Sequence, residues 1–236
     1  MNEFEHKGES KKEFVRYIFN DISSTYDFLN HFLSLGIDVL WRKRFIKSLE
    51  FSNKDKVLDV ATGTGDVAFK IREKYSSKII GLDLSINMLE IAKSKASQNN
   101  IKDIDFIEGD AENLPFDDST FDKLVISYGL RNLGDCKKGL KEFYRVLKAD
   151  SRIGVLEFLQ PKSTIVAKLF RFYFNNILPR IASLFSNSKA YRYLPESVDN
   201  FMTAQELKIL LEEVGFKNVY CRSMTFGITT IVNAEK

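Results

Sequence analysis

Four acidic residues stand where an apolar run gives way to a loop or a helix: Asp59, Asp66, Asp83 and Asp110. Between the first two lies Ala61-Thr62-Gly63-Thr64-Gly65, a glycine-rich turn of the kind that lets backbone amides approach a ligand closely. Gly63-Thr64-Gly65-Asp66-Val67-Ala68 matches the loose GxGxxA form of a dinucleotide site, which alone is a weak signal. The flanking carboxylates argue against a pyrophosphate. At ~4 Å and an effective dielectric of about 20, each charge pair is worth ~4 kcal/mol before screening. What repels a phosphate attracts a cation, so Asp59 with Gly63 and Gly65 is expected to cradle a cationic, phosphate-free nucleoside. S-adenosylmethionine, with its sulfonium and α-ammonium groups, has that chemistry.

The later acids extend the site. Asp83 lies 20 positions after Gly63, where a carboxylate can accept both ribose hydroxyls; its plainer reading is a charge at a helix N-terminus beside Ser85. Asp110 and Ala111 offer a carboxylate and a backbone amide to the amino group and ring nitrogen of adenine. Ser127-Tyr128-Gly129-Leu130-Arg131-Asn132 would then sit beside the methionine end.

These residues need a scaffold that brings loop after loop to one crevice. Short apolar runs alternate with helical periodicity between Lys56 and Leu156, the pattern of a parallel sheet covered on both faces. Strands are expected at Lys56 to Val60, Lys78 to Asp83, Ile104 to Glu108, Lys123 to Tyr128 and Ile153 to Phe158. The third alternates and belongs at an edge. Helices fit at Asp66 to Tyr75, Ser85 to Ser97 (with Ser85 as N-cap) and Cys136 to Leu147. A helix from Thr203 to Val214, stopped by Gly215, precedes two β-rich stretches, Asn218 to Thr225 and Ile228 to Asn233, which read as an antiparallel hairpin. Phe14, Ile18 and Ile22 mark an amphipathic N-terminal helix.

Composition narrows the class. A chain of 236 residues, 44% hydrophobic and 28% charged, can bury a full core. Its net charge of +3, with only short basic clusters such as Trp41-Arg42-Lys43-Arg44, argues against a nucleic-acid partner. Cys136 and Cys221 lack metal-ligand spacing, so no metal site is expected and both thiols read as unpaired. Met1 to Lys7 lacks the apolar core of a signal peptide, and no stretch reaches the roughly 20 apolar residues of a spanning helix. A cytoplasmic protein is expected, with peripheral contact at the inner face of a membrane. Assembly with identical chains stays open.

Together these motifs resemble the ubiquinone/menaquinone biosynthesis C-methyltransferases (UbiE/MenG type) within the class I methyltransferases. The resemblance spans nearly the whole chain, from Tyr26-Asp27 and Trp41-Arg42 through Gly129-Leu130-Arg131-Asn132. Its most specific part is Ala190-Tyr191-Arg192-Tyr193-Leu194-Pro195-Glu196-Ser197. It implies a doubly wound, mostly parallel seven-stranded α/β sheet with a C-terminal antiparallel hairpin and a helical lid. The organisation implied is one domain: residues 1–50 as an N-terminal lid, 51–159 as the cofactor-binding core, 160–200 as a helical insertion, and 201–236 as the closing helix and hairpin. It implies transfer of a methyl group from S-adenosylmethionine to a ring carbon of a polyprenylated quinol. That reaction converts demethylmenaquinol to menaquinol, or performs the equivalent benzoquinol step toward ubiquinol; the alternative is methyl transfer to another small or lipidic acceptor. The resemblance places the cofactor on Thr64, Asp83, Asp110 with Ala111, and Ser127. Lys148-Ala149-Asp150-Ser151 departs from the family's Pro-Gly-Gly turn, Met202 stands at a common proline position, and Ile231-Val232-Asn233-Ala234 lacks a frequent histidine.

A hydroquinone attacks through carbon once a hydroxyl is deprotonated, so a base or a phenolate-stabilising cation is needed. Arg131 with Asn132, and Tyr26 with Asp27 from the N-terminal segment, are the candidates; the alternative for Arg131 is a salt bridge that braces its loop. His31, among apolar neighbours, reads more readily as a packed residue. Thr164 to Phe185 carries an apolar stripe with Lys168, Arg171 and Arg180 at its sides, either a lid for a prenyl tail or a helix packed on the sheet.

Overall fold

The computed structural model describes residues 7–34, 36–160 and 189–236; the Thr164 to Phe185 stripe lies outside them. Helices α1 (Gly8–Leu33) and α2 (Ile37–Ser48) precede an alternation of β1 (Lys56–Val60), α3 (Asp66–Arg72), β2 (Lys78–Asp83), α4 (Ile86–Gln98), β3 (Ile104–Glu108) and β4 (Phe121–Ser127). A 3-10 turn (Leu130–Asn132), α5 (Cys136–Val146) and β5 (Leu147–Glu157) follow, then α6 (Lys189–Asp199), α7 (Ala204–Val214), β6 (Lys217–Met224) and β7 (Thr229–Glu235).

The seven strands form one sheet in the order β3-β2-β1-β4-β5-β7-β6. The first five are parallel, and β7 runs antiparallel between β5 and β6. This is the doubly wound α/β sheet with a C-terminal hairpin expected from the sequence, with β3 at its edge. Burial explains why β1 is central. Val57, Leu58 and Val60 are each 0% exposed, and alternate side chains enter opposite cores. Leu58 packs with Phe121, Phe143, Leu207 and Leu211 under α5 and α7. Val57 packs with Phe45, Ile71, Ile79 and Leu89 under α2, α3 and α4.

Local signals set most ends. Ser85 caps α4 by accepting from the Met88 amide at 3.2 Å, and Thr203 with Glu206 forms a capping box on α7. Two strands are longer than the sequence suggests. Phe121, fully buried, extends β4 across a register shift to pair with Leu147, and β5 starts directly at the end of α5. Asp150, in the stretch where related sequences have Pro-Gly-Gly, takes a left-handed φ of 58°.

Helix α1 lies over the carboxyl ends of the strands. Its Lys11 ammonium donates to the carbonyls of Arg131 and Leu133, each at 2.7 Å, and Asn20 accepts from Ser85 Oγ at 2.6 Å. Among the described residues no helix is long and apolar enough to cross a membrane.

Candidate active site

The crevice under α1 holds two chambers. The first is a void of about 680 Å³ including its open mouth, lined by Gly63, Asp83, Met88, Asp110, Ala111 and Ser127 among others. The glycine turn shapes its floor. Gly65, at φ 87°, begins α3, and a Cβ there would lie 2.7 Å from Phe69 Cε2, so only glycine fits. The Gly63 amide donates to Asp83 Oδ2 at 2.7 Å and the Ser85 amide to Oδ1 at 2.8 Å. Burial pushes the Asp83 carboxyl upward, and these amides oppose the shift.

Asp59 takes a different place from the one its sequence position suggests. It does not line the chamber but lies beneath the turn, 1% exposed, accepting from Thr62 Oγ1 at 2.7 Å. Burial, with Asp83 and Asp66 nearby, raises its pKa to about 7. The physical reason is that β1 is covered on both faces, so this side chain points into the helical layer and not out of the strand tip. Asp66 is also turned away, toward Lys95 at 3.2 Å and Arg42 at 3.5 Å.

Thr64 is buried, and its hydroxyl donates to Asp27 Oδ1 at 2.6 Å, while Asp27 Oδ2 meets Lys95 at 2.5 Å. Neither Thr64 nor Asp27 lines a chamber; together they rivet α1 to the glycine turn. Asp110 accepts from the Glu112 amide at 2.8 Å and from Lys12 Nζ at 2.9 Å. Lys12, itself lining the chamber, was invisible in the sequence because a lysine on an amphipathic helix is ordinarily solvated. Ser127 Oγ is enclosed and has no hydrogen-bond partner among the described residues. A buried hydroxyl left orphaned in a chamber wall is a place for a ligand's polar group.

The second chamber is aromatic and apolar, with Ile18, Phe19, Ile22, Trp41, Phe158 and Tyr193, and polar groups Tyr26, Asn30, Ser34, Asp38, Arg42, Tyr128 and Arg131. Phe19, Tyr26 and Tyr128 line both chambers, so the two meet there. Tyr128 holds a left-handed φ of 58° and stacks on Phe158 at 4.5 Å, a strained backbone at a junction. Burial raises the pKa of Tyr26 and of Tyr128.

Arg131 is 6% exposed. It donates from Nη1 to Glu157 Oε1 and to the Tyr128 carbonyl, each at 2.7 Å, and from Nε to Ser197 Oγ at 3.2 Å. Its position is that of the bracing salt bridge, with its guanidinium 5.6 Å over the Phe158 ring. Asn132 Oδ1 accepts from the Tyr193 hydroxyl at 3.2 Å, tying the loop to α6. Glu157 carries the same signal as Asp83, an acid at a strand tip, yet its partner could not be named before the fold placed Arg131 beside it.

Asp83, Asp110, Ala111 and Ser127 share the first chamber, and carboxylates with a backbone amide and a hydroxyl suit the chemistry of S-adenosylmethionine. Known proteins similar to this chain are methyltransferases. The "Ubiquinone/menaquinone biosynthesis C-methyltransferase UbiE" of Geotalea daltonii is 42% identical over 229 residues, 96% of this chain and 97% of the relative. The "Demethylmenaquinone methyltransferase" of Chlorobaculum tepidum is 43% identical over 227 residues, 94% of this chain and 92% of the relative. Among solved structures, a SAM-dependent methyltransferase of Thermotoga maritima superposes with a TM-score of 0.66 at 19% identity, covering 94% of this chain and 99% of that one. Phosphoethanolamine N-methyltransferase 2 of Haemonchus contortus, in complex with S-adenosyl-L-methionine, gives 0.65 at 14% identity, covering 83% and 52%. Both structures show the fold. The model of the ubiE/COQ5 methyltransferase family matches residues 6–236, and the chain belongs to that family of methyltransferases.

Proposed function

We propose that this enzyme transfers a methyl group from S-adenosylmethionine to a ring carbon of a polyprenylated quinol, demethylmenaquinol or the equivalent benzoquinol. The observation that carries the reading is the pair of chambers meeting at Phe19, Tyr26 and Tyr128: a polar one suited to a nucleoside beside an aromatic one suited to a flat ring.

When bound, the cofactor supplies an activated methyl group, so the protein's main task is alignment. Asp83 would hold the ribose, Asp110 with Ala111 the adenine, and Ser127 the methionine end. Asp59, Gly63, Thr64 and Gly65 shape the turn. Tyr26 stands at the junction, Asn132 lines the cofactor side, and Arg131 holds the walls by its bond to Glu157. Asp27 keeps α1 closed over the cofactor. In this reading residues 1–50 cap the site, 51–159 bind the cofactor and 201–236 close the sheet; the helical insertion expected over 160–200 lies for the most part outside the described residues. Ile37, Val39 and Leu40 are exposed along the same helix as the exposed Lys43 and Arg44, and exposed Phe226 follows Thr225, which accepts from Trp41 of that helix, a surface suited to resting on an anionic bilayer.

The test is a methyl-transfer assay offering short-tailed naphthoquinol and benzoquinol separately, with product mass as readout. Methylation of either supports the reading. Turnover of neither, with another lipidic phenol accepted, overturns it.

A further inference from the structure

The acceptor chamber has one polar end that cofactor alignment does not use. There the last turn of α1 meets the first turn of α2. Asp38, 4% exposed, accepts from Ser34 Oγ at 2.7 Å and from Arg42 Nη1, and His31 Nδ1 lies 2.6 Å from its Oδ2. A carboxylate offers about four acceptor positions, and these two donors take two, while Asp38, Ser34 and Asn30 all line the chamber. His31 is 46% exposed at its side chain, so one end of its ring meets the buried carboxylate and the ring reaches solvent.

We propose that Asp38 and His31 form a proton path from the acceptor's hydroxyl to solvent, with Asp38 touching the hydroxyl and His31 relaying. This inference rests on the quinol reading above. The other ionisable groups of the chamber are poorly suited to the task. Burial raises Tyr26 and Tyr128, which keeps both phenols protonated. Arg42 and Arg131 are cations with no site for a proton. Asp38 is the one carboxylate among the described residues of the lining. Burial pushes its pKa up, but Ser34 and Arg42 outweigh this and hold it below the ordinary value. It therefore passes a proton on more readily than it keeps one, and His31 is the next acceptor in line.

The step balances. The hydroxyl O–H bond breaks, its proton moves through Asp38 to His31 Nδ1, and His31 sheds its Nε2 proton to water. The O–H electron pair stays on the acceptor and drives formation of the carbon–methyl bond. The ring carbon's own hydrogen then leaves as a proton and returns to the oxygen, so one proton is released per methyl transferred.

The experiment compares His31→Ala and His31→Gln with the unmodified enzyme, using turnover of the short-tailed quinol, S-adenosylhomocysteine affinity, and the absorbance of a bound naphthol. Both variants should keep cofactor affinity and lose at least about a hundredfold in turnover, the low side of what proton-transfer catalysis contributes. Added imidazole should restore part of the rate of His31→Ala, and the naphtholate band should fade in that variant and return with imidazole. Full turnover in both variants overturns the path. So does a loss that imidazole leaves untouched and that lower cofactor affinity accompanies, since that marks a packing role. A His31-dependent naphtholate band without quinol turnover by the unmodified enzyme would overturn the acceptor reading and leave the path standing.

Discussion

Replacing Asp59 with asparagine should change how the stability of this protein depends on pH. The carboxyl has an ordinary pKa of 3.8 and one of about 7 in the folded protein, chiefly through burial. Below pH ~4 it is protonated in both states and contributes no pH dependence. Between about 4 and 7 the unfolded chain is ionised there while the folded protein keeps the proton. The folded state then binds more protons, and stability falls as pH rises. The difference between 3.8 and about 7, at 1.36 kcal/mol per unit, is worth about 4 kcal/mol by pH 8. The amide of the variant does not titrate. It can still accept from Thr62 Oγ1 but loses the Ala68 amide bond, a pH-independent cost of about 1–3 kcal/mol. The stability of Asp59→Asn relative to the parent should therefore rise by about 4 kcal/mol between pH 4 and 8. For a chain of this size that is a gain of roughly 8–16 °C in relative Tm. Urea unfolding of both proteins across that range, taken as a difference, cancels the other titrating groups. A difference flat to within ~1 kcal/mol would refute the assignment of a buried, protonated Asp59.

Three further outcomes follow from the site. Arg131→Met should cost about 3–5 kcal/mol in urea unfolding because it strands the buried Glu157 carboxylate, and Arg131→Met with Glu157→Gln should recover much of it; equal losses in the two would show that the pair is not coupled. Ser127→Ala removes a hydroxyl with no partner among the described residues, so the unliganded protein should keep its stability. Its affinity for S-adenosylmethionine by calorimetry should fall about fivefold to tenfold, the worth of one hydrogen bond. Lys12→Met severs the ties to Asp110 and Glu112 and should weaken S-adenosylhomocysteine binding severalfold, with less salt dependence than the parent; unchanged affinity would separate α1 from the cofactor chamber.

Much of this architecture is legible in the chain. Apolar runs of period two and helical repeats of period 3.6 are local, so β1, β2, β3, the Ser85 cap and the closing hairpin stand where sequence places them. The glycine turn is also local, because Gly65 has to adopt a backbone closed to other residues. Strand tips carrying Asp83, Asp110 and Ser127 then share a crevice, since parallel connectivity puts every tip on one side.

Ion-pair partners are not local, and there the sequence stops. It names Asp59 as an acid beside a loop, but only a sheet covered on both faces turns that acid inward. Thr64 and Asp27 carry no mark of each other across 37 positions, nor does Lys11 of the carbonyls 120 and 122 positions away. His31 reads as a packed residue until the turn between α1 and α2 brings Asp38 beside it. Sequence periodicity decides which face a side chain occupies. Which charge it meets there depends on distances that only the packed tertiary structure sets.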